Sequence, residues 1–584
     1  MITYTIAMPA PHTHLFHVQI ELDGLHGDVL DLILPSWTPG SYMIREYARH
    51  VQAFSATHDD GSPLHWQKQA KDCWRVQTAG ATRIMVSYHV YANDLSVRTS
   101  HLDASHGYFN GAAVFMYAEG RTAEQIRLLI EPPPDWHVTT ALAPLPGDAL
   151  ASEPRPGRFY FVATDYDELV DSPVECGTHR LFHFEVDQIR HELAIWGSGN
   201  EDPERLVHDT ERIVKAQRDF FGSLPYPRYT IILHLTDGKG GGLEHRNSVT
   251  NQLDRWSFRP ERSYERYLAL TSHELFHVWN GKRLRPAVLG PFDYRHETYT
   301  RLLWLVEGAT SYYDKLLLVR AGLLRRERYL EKLADEIINL QHQPGRLCQS
   351  LEQSSFDAWI KLYRPDENSA NVSISYYQKG SLVCLLLDMR LRAASNGARS
   401  LDDLLRLLYA SYPLDEPGLP EAGAVQAAAE AVASLPTGSL DDFFARYIAG
   451  TAELAYAEAF AVVGLELAWM HRGPAAWLGI NVRQHGERAM ISSVRSDGPA
   501  YAAGVNANDE LLALDGWRVS EERMNARLAE REPGTVVTLS LFRGDRLIEL
   551  PVTLAEAPPD NLSLRTVATP TETQRRNLQT WLGG

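Results

Sequence analysis

The segment Thr271–Asn280 reads TSHELFHVWN and carries the spacing H-E-x-x-H as His273, Glu274 and His277. On a helix, residues four apart lie one turn above each other, so both imidazoles can reach one Zn²⁺ at about 2.0–2.1 Å. Glu274, beside His273, can reach a metal-bound water without ligating the metal, which makes it the candidate general base. Tyr267, Leu268, Leu270, Leu275, Phe276 and Trp279 supply an apolar surface to bury such a helix. The pattern reads on through the basic Lys282, Arg283 and Arg285 to a stop at Pro286. A catalytic zinc needs a third protein ligand and an open position. Glu307, inside the apolar run LLWLVEGATSYYDKLLL, is the leading candidate, because an ionised carboxylate among leucines needs a cation beside it. His296 and Glu297 compete from the polar stretch DYRHETYT, which offers no apolar scaffold to fix them. Rigid placement favours Glu307.

These residues need elements to position them, and the chain has room for several. Its 584 residues exceed one hydrophobic core, and 44% apolar with 22% charged residues is ordinary for a soluble globular protein. Residues 1–165 read as β-rich: His14–Leu22, Ile84–Ala92 and Ile126–Glu131 are dense in β-branched and aromatic residues between turn signals. A sandwich or a large curved sheet is expected there. Near 202–221 the period changes to helical, with Asp202 placed to cap it ahead of Pro203. A buried strand, Tyr229–Leu235, then runs into the glycine-rich GKGGGLEH. From 264 to about 460 the pattern is helical, with starts expected at Ser400 and Ser439. Short strands return over 474–556, and the tail 557–584 reads as poorly ordered. His12, His14 and His17 fit neither one strand face nor a helical pair, and read as part of a packed or solvated strand.

Charge and cysteines narrow the partners. The formal net charge of −17 repels phosphate backbones and anionic lipid, so nucleic acid and membrane surfaces are not expected partners. The four cysteines are scattered with no CxxC pair, which suits a reducing compartment and argues against a disulfide framework. No basic stretch precedes an apolar core at the N-terminus, and no window reaches 18 apolar residues, so a cytoplasmic location is expected. The acidic balance instead suits bound cations or cationic ligand groups, which a carboxylate near the metal would receive. In Gly241-Gly242-Leu243-Glu244 the glycines allow a peptide backbone to approach and Glu244 supplies that carboxylate. Ser311 and Asp314 could both orient Glu307, and nothing in the sequence selects between them.

H-E-x-x-H followed by E-G-x-T-x-Y-Y resembles the gluzincin (clan MA) metallopeptidases. The ordered set SWTPGSYMIREYARHV, GGLEHRNS, HELFHVWN, LWLVEGATSYY and SYYQKG, spread over nearly the whole chain, resembles the glycyl aminopeptidase family that carries a C-terminal PDZ domain. The resemblance implies a multidomain α+β protein: a β-rich N-terminal domain over 1–165, a thermolysin-like zinc peptidase domain over 166–465, and a PDZ domain over 474–556. It implies one zinc ion on His273, His277 and Glu307, and Glu244 as amine-binding residue, with Leu243 and His245 standing where the G-x-M-E-N element of aminopeptidase N relatives has Met and Asn. Those relatives place the third ligand 19 residues after the second histidine; here that position holds His296, and Glu307 lies 30 residues on, as a longer loop would give. It implies Tyr377 of Tyr377-Gln378-Lys379-Gly380 as the oxyanion donor, with Tyr376 the neighbour that competes for the role. The activity implied is removal of an N-terminal Gly or Ala from peptides. In the C-terminal module, the amides around Leu478, Gly479 and Ile480 would receive a peptide carboxylate by strand addition, or the groove is filled within the same chain. Two rivals remain: a zinc endopeptidase whose substrates the PDZ module recruits, and an inactive PDZ scaffold.

Overall fold

The computed structural model describes residues 2–145, 157–414 and 417–583. They group into two units, Met1–Thr298 with Tyr412–Gly418, and Tyr299–Ser411 with Leu419–Gly584.

The N-terminal half of the first unit is built from strands because its apolar residues alternate. In Leu15–Asp23, Phe16, Val18, Ile20 and Leu22 are buried while the residues between them are not. That strand pairs with Ile2–Ala7 on one side and Arg83–Tyr91 on the other, and Ile2–Ala7 runs parallel to Ile126–Glu131. All belong to a seven-stranded sheet, and the strands expected near 14–22, 84–92 and 126–131 are therefore present. His17 stacks on His89 of the neighbouring strand at 3.8 Å between ring centres, the packed-strand role expected of it. A four-stranded sheet, containing Ser100–Leu102, His106–Phe109 and Val174–Gly177, joins this half to the next.

The second half begins with β1 (Arg180–Val186) and β2 (Ile189–Trp196), then α1 (Pro203–Phe221). Asp202 caps α1 by accepting from Arg205 N, as the Asp-Pro pair foretells. β3 (Arg228–Thr236) is buried from Tyr229 onward, as expected of a strand covered on both faces. β4 (Gly241–Glu244) and β5 (Ser248–Asp254) complete a sheet of order β1-β2-β3-β5-β4, in which β2, β3 and β5 are parallel and β4 is an antiparallel edge. α2 (Glu261–Phe276) lies on it and carries His273 and Glu274. The helix stops earlier than the basic run suggests: His277 is its C-cap, and 278–285 form turns with Gly281 at φ +124°. Lys282 and Arg283 are drawn off by other partners, Asp171 Oδ1 at 2.6 Å and the Val278 carbonyl at 2.9 Å, so they cannot serve as a last helical turn.

The second unit centres on α3 (Leu303–Arg320), which is apolar all round and almost wholly buried. It crosses α4 (Gln378–Ala394) where Gly308 meets Gly380; a Cβ on Gly308 would fall 2.7 Å from the Gly380 backbone. Tyr312 of α3 donates to Asp388 of α4 at 2.6 Å. The tail corrects an expectation. Residues 561–566 form a strand, and α5 (Glu572–Leu582) seats Trp581, fully buried, with its indole N–H on Tyr312 Oη at 2.8 Å. Thr571 and Gln574 form a reciprocal cap that starts this helix, a signal the polar composition obscures. A helix does start after Ser400, at Leu401, but the one near Ser439 begins at Asp441, because the buried Glu430 carboxylate accepts from Gly438 and Leu440 N and fixes the turn there. The PDZ region forms a six-stranded sheet over its own core of Leu478, Ile491, Leu511, Leu539 and Leu541.

Candidate active site

Within the first unit, the Nε2 atoms of His273 and His277 face each other at 3.2 Å. Two nitrogens bound to one tetrahedral ion at about 2.0–2.1 Å stand about 3.3 Å apart, so the pair is set for a shared metal. His277 Nδ1 lies 2.9 Å from the Asn280 carbonyl, which places the proton there and leaves the Nε2 lone pair for the ion. Phe221 stacks flat on Trp279 at 4.8 Å, and Gln217 Nε2 donates to the Ser272 carbonyl, so α1 fixes the helix end that bears the histidines.

The edge strand brings the next groups. Glu244, Glu274 and His277 each offer a ligand atom, all within 4.8 Å of one another. The two carboxylates are largely buried, at 8% and 6% exposure, and repel each other unless a cation lies between or beside them. Gly242 packs on Glu274 so closely that a Cβ there would overlap the carboxyl group. Gly242 and Glu244, two apart on β4, point to one face, the face that meets α2. Glycine at 242 thus sets the carboxylate of Glu274 against the strand. Gly241 holds φ +137°, a conformation that favours glycine.

Three anchors of this edge escape a sequence reading. Asp171, from the N-terminal half, meets His245 Nδ1 at 3.2 Å, Arg246 N at 2.8 Å and Lys282 Nζ at 2.6 Å. Although burial pushes its pKa up, Lys282 and His245 more than offset this and hold it below the usual carboxylate range. Asp171 thereby ties the end of β4 to the turn after α2. Gly40, at φ +88°, sits where a Cβ would fall 2.6 Å from Glu244 Oε1. It belongs to the SWTPGSYM segment, whose order in the resemblance is the only hint that it nears the site. Arg98 reaches the Gly242 carbonyl at 3.3 Å, and no motif marks it.

The second unit supplies the other predicted residues. Glu307 is 2% exposed on α3. Tyr377 is the N-cap of α4, and its hydroxyl pKa is raised well above 10, first by burial and next by the charge of Glu307. Tyr377 is thus a protonated donor within the field of Glu307, whereas Tyr376, stacked on it at 4.8 Å, is fully buried. Lys379 is spent on the Arg346 carbonyl at 3.0 Å, its pKa pushed down to about 8 by burial. Gly308 and Gly380, next to Glu307 and Lys379, let the two helices close on each other. Asp314 pairs with Lys315 at 2.9 Å. His296 is exposed and pairs with Asp293, as a loop residue would.

In the PDZ region, Leu478 lies in the core and Gly479 turns at φ +79° with its carbonyl accepting from Arg495 N. Gly479, Ile480, Asn525 and Leu528 line a cavity of about 310 Å³. Asn371 borders it and bonds Val494 O and Ser496 N at 2.9 and 2.8 Å.

The facing imidazoles of His273 and His277, with the carboxylate of Glu274 on the same helix, are the arrangement of a zinc metallopeptidase. Family models match residues 3–178 (Peptidase M61 N-terminal domain), 266–383 (M61 glycyl aminopeptidase) and 476–554 (PDZ domain). The crystal structure of an aminopeptidase N family protein from Idiomarina loihiensis is 30% identical, covers 100% of both chains and superimposes with a TM-score of 0.91. The chain belongs to the M61 glycyl aminopeptidase family. A probable periplasmic serine endoprotease DegP-like from Brucella suis biovar 1 (strain 1330) is 33% identical over 99 residues, 17% of this chain and 19% of that protein. Serine endoprotease DegS of Escherichia coli (strain K12) is 33% identical over 73 residues, 12% of this chain and 21% of that protein. The chain thus spans about a fifth of the length of these curated relatives. No helix among the described residues is long and apolar enough to cross a membrane.

Proposed function

We propose that the protein removes a single small residue, Gly or Ala, from the free N-terminus of a peptide at one zinc ion held by His273, His277 and Glu307. The observation that carries this reading is the grouping of Glu244, Glu274 and His277 within 4.8 Å, on one edge strand and one helix. Zinc at such a site makes water acidic enough to attack near neutral pH and polarises the scissile carbonyl. Glu274, pressed against Gly242, takes the proton of the attacking water and hands it to the leaving amine. Tyr377, kept protonated by burial and by the Glu307 charge, donates its O–H to the oxygen on which negative charge develops. Glu244 pairs with the substrate ammonium, and being two residues along β4 it leaves room for one residue before the scissile bond. The PDZ groove beside Leu478, Gly479 and Ile480 takes a C-terminal strand, a role that its cavity supports. Four unpaired cysteines, three of them buried, favour a reducing, cytoplasmic setting.

The test compares one short peptide with free and with acetylated N-terminus. Turnover of the free form alone, lost in Glu274→Gln with metal retained, is the expected result. Equal turnover of both forms would replace the exopeptidase reading with an endopeptidase one.

A further inference from the structure

The edge strand gives the substrate a direction. Glu274 lies against Gly242, and Glu244 lies about 7 Å further along at a strand rise of about 3.3 Å per residue. With the ammonium at Glu244 and the scissile carbonyl near Glu274, the leaving group must run back past Gly242 toward Gly241. At that end stands Arg98. Its Nη2 is 3.3 Å from the Gly242 carbonyl, and a Cβ on Gly241 would lie 3.7 Å from its Nη1.

Arg98 is half-buried and built in. Its carbonyl accepts from Tyr47 Oη at 2.7 Å and its N–H meets Ser96 Oγ at 3.3 Å. Neighbouring contacts clamp the same loop and the strand beside it to the peptidase sheet: Leu95 O accepts from Lys239 Nζ at 3.1 Å and from Gln252 Nε2 at 3.4 Å, and Tyr108 of the strand donates its hydroxyl to Thr250 Oγ1 at 3.1 Å. The guanidinium itself is under-used. Its Nε, out of solvent, has no hydrogen-bond partner, its one bond to Gly242 is long, and it forms no ion pair among the described residues. Asp94, on the same loop, does not pair with it. Lys239, exposed and also without an ion pair, adds a second positive charge on this side. A chain of net charge −17 thus places two cations, neither in an ion pair among the described residues, where a leaving group passes.

From this placement we infer that Arg98 binds the C-terminal carboxylate of the substrate, so that the preferred substrates are di- and tripeptides ending one or two residues beyond the scissile bond. A guanidinium fork matches a carboxylate bidentately, which neither a longer peptide backbone nor a C-terminal amide can exploit. The inference rests on the aminopeptidase reading for its direction, but its test is separate. Acetylation of the N-terminus tests that reading, whereas changes at the C-terminus test this one.

The experiment uses the full-length zinc-loaded protein and matched pairs, Gly-Ala-Ala and Ala-Ala-Ala as acids and as C-terminal amides. A carboxylate bond of this kind gives the acids at least a tenfold higher kcat/KM, carried by KM, and the advantage shrinks as salt rises. In Arg98→Gln the acid-to-amide ratio falls to near one; in Arg98→Lys, which keeps the charge but not the fork, it is intermediate. Equal kcat/KM for acid and amide in the wild-type protein overturns the inference without any variant. So does an Arg98→Gln protein that loses acid and amide turnover in equal measure, since Arg98 would then only hold β4 in place.

Discussion

Gly308→Ala sets two effects against each other on α3. Alanine in place of glycine within a helix gains about 1 kcal/mol. The new Cβ, however, would fall 2.7 Å from the Cα and carbonyl carbon of Gly380 and 3.1 Å from Ser381 N. Carbon atoms in ordinary contact stand about 3.5–4.0 Å apart, so the crossing must open by roughly 1 Å. The obstructing atoms are backbone, so no side-chain rotation relieves the overlap, and overpacking of this kind costs about 1–3 kcal/mol, here toward the upper end. The clash wins, and a net loss of about 1–2 kcal/mol is expected. Activity should suffer more than stability, because Glu307 adjoins Gly308 and Tyr377 lies three residues before Gly380. In the proposed roles of these two residues, a misplacement of about 1 Å between them lowers kcat about 10²-fold. Denaturant unfolding and kcat on an alanyl nitroanilide measure the two effects in one preparation. A variant about 1 kcal/mol more stable than wild type with kcat within twofold would refute the reasoning, since helix propensity alone would then account for it.

Trp581→Ala empties a fully buried site and removes the indole N–H that the Tyr312 hydroxyl accepts from, so a loss of about 3–5 kcal/mol is expected by chemical unfolding, with kcat reduced through α3. Gly40→Ala pushes a methyl toward Glu244 Oε1 and strains a φ of +88°; KM for free-amine peptides should rise about tenfold or more at little change in kcat, and an unaltered KM would count against Glu244 as the amine site. Glu175 is fully buried between His106 Nδ1 and His234 Nε2, each at 2.9 Å, and these imidazoles hold its pKa at about 2 against 4.5 for the free side chain. A carboxylate depressed in the folded state binds fewer protons than in the unfolded chain, so its contribution is complete above about pH 4.5 and lost as pH falls toward 2. Acid unfolding of Glu175→Gln should lack that portion of the pH dependence; an unchanged profile between pH 4.5 and 2 would show that Glu175 is not the group titrating.

What was legible in the sequence is what local chemistry dictates. The His273–His277 spacing, the Asp202-Pro203 start of α1 and the alternation in Leu15–Asp23 each involve a few neighbouring residues, and each appears as read. The burial of Glu307 among leucines was legible for a different reason, because a carboxylate there needs a partner to offset its lost solvation. What stayed hidden depends on residues far apart in the chain. The end of α2 is decided by Asp171, 111 residues before Lys282, and no periodicity contains it. The tail looked loose because its residues are polar, yet Trp581 and Leu582 are buried and seat α5, with the Trp581 indole on Tyr312 of α3. Arg98 and Gly40 carry no motif, and their importance lies only in which strand they touch.

That strand shifts the view of the N-terminal half from a scaffold to a part of the catalytic apparatus. β4 is an edge with one hydrogen-bonded neighbour, and an edge strand left to itself frays. Here it is held from both ends by groups outside the peptidase sheet: Asp171 at the His245 end, Arg98 at the Gly242 carbonyl, Gly40 against Glu244 between them. The distance from the Glu244 carboxylate to that of Glu274 is therefore set by contacts that the peptidase sheet does not make for itself. An exopeptidase measures one residue from a chain end, an error of about 3.3 Å would cut at the wrong bond, and the ruler must be rigid on that scale. The N-terminal sheets supply this rigidity, through the buried Glu175 pair with His234 of β3 as well as through the strand itself. A peptidase domain without them would keep its H-E-x-x-H helix and lose the register of its substrate.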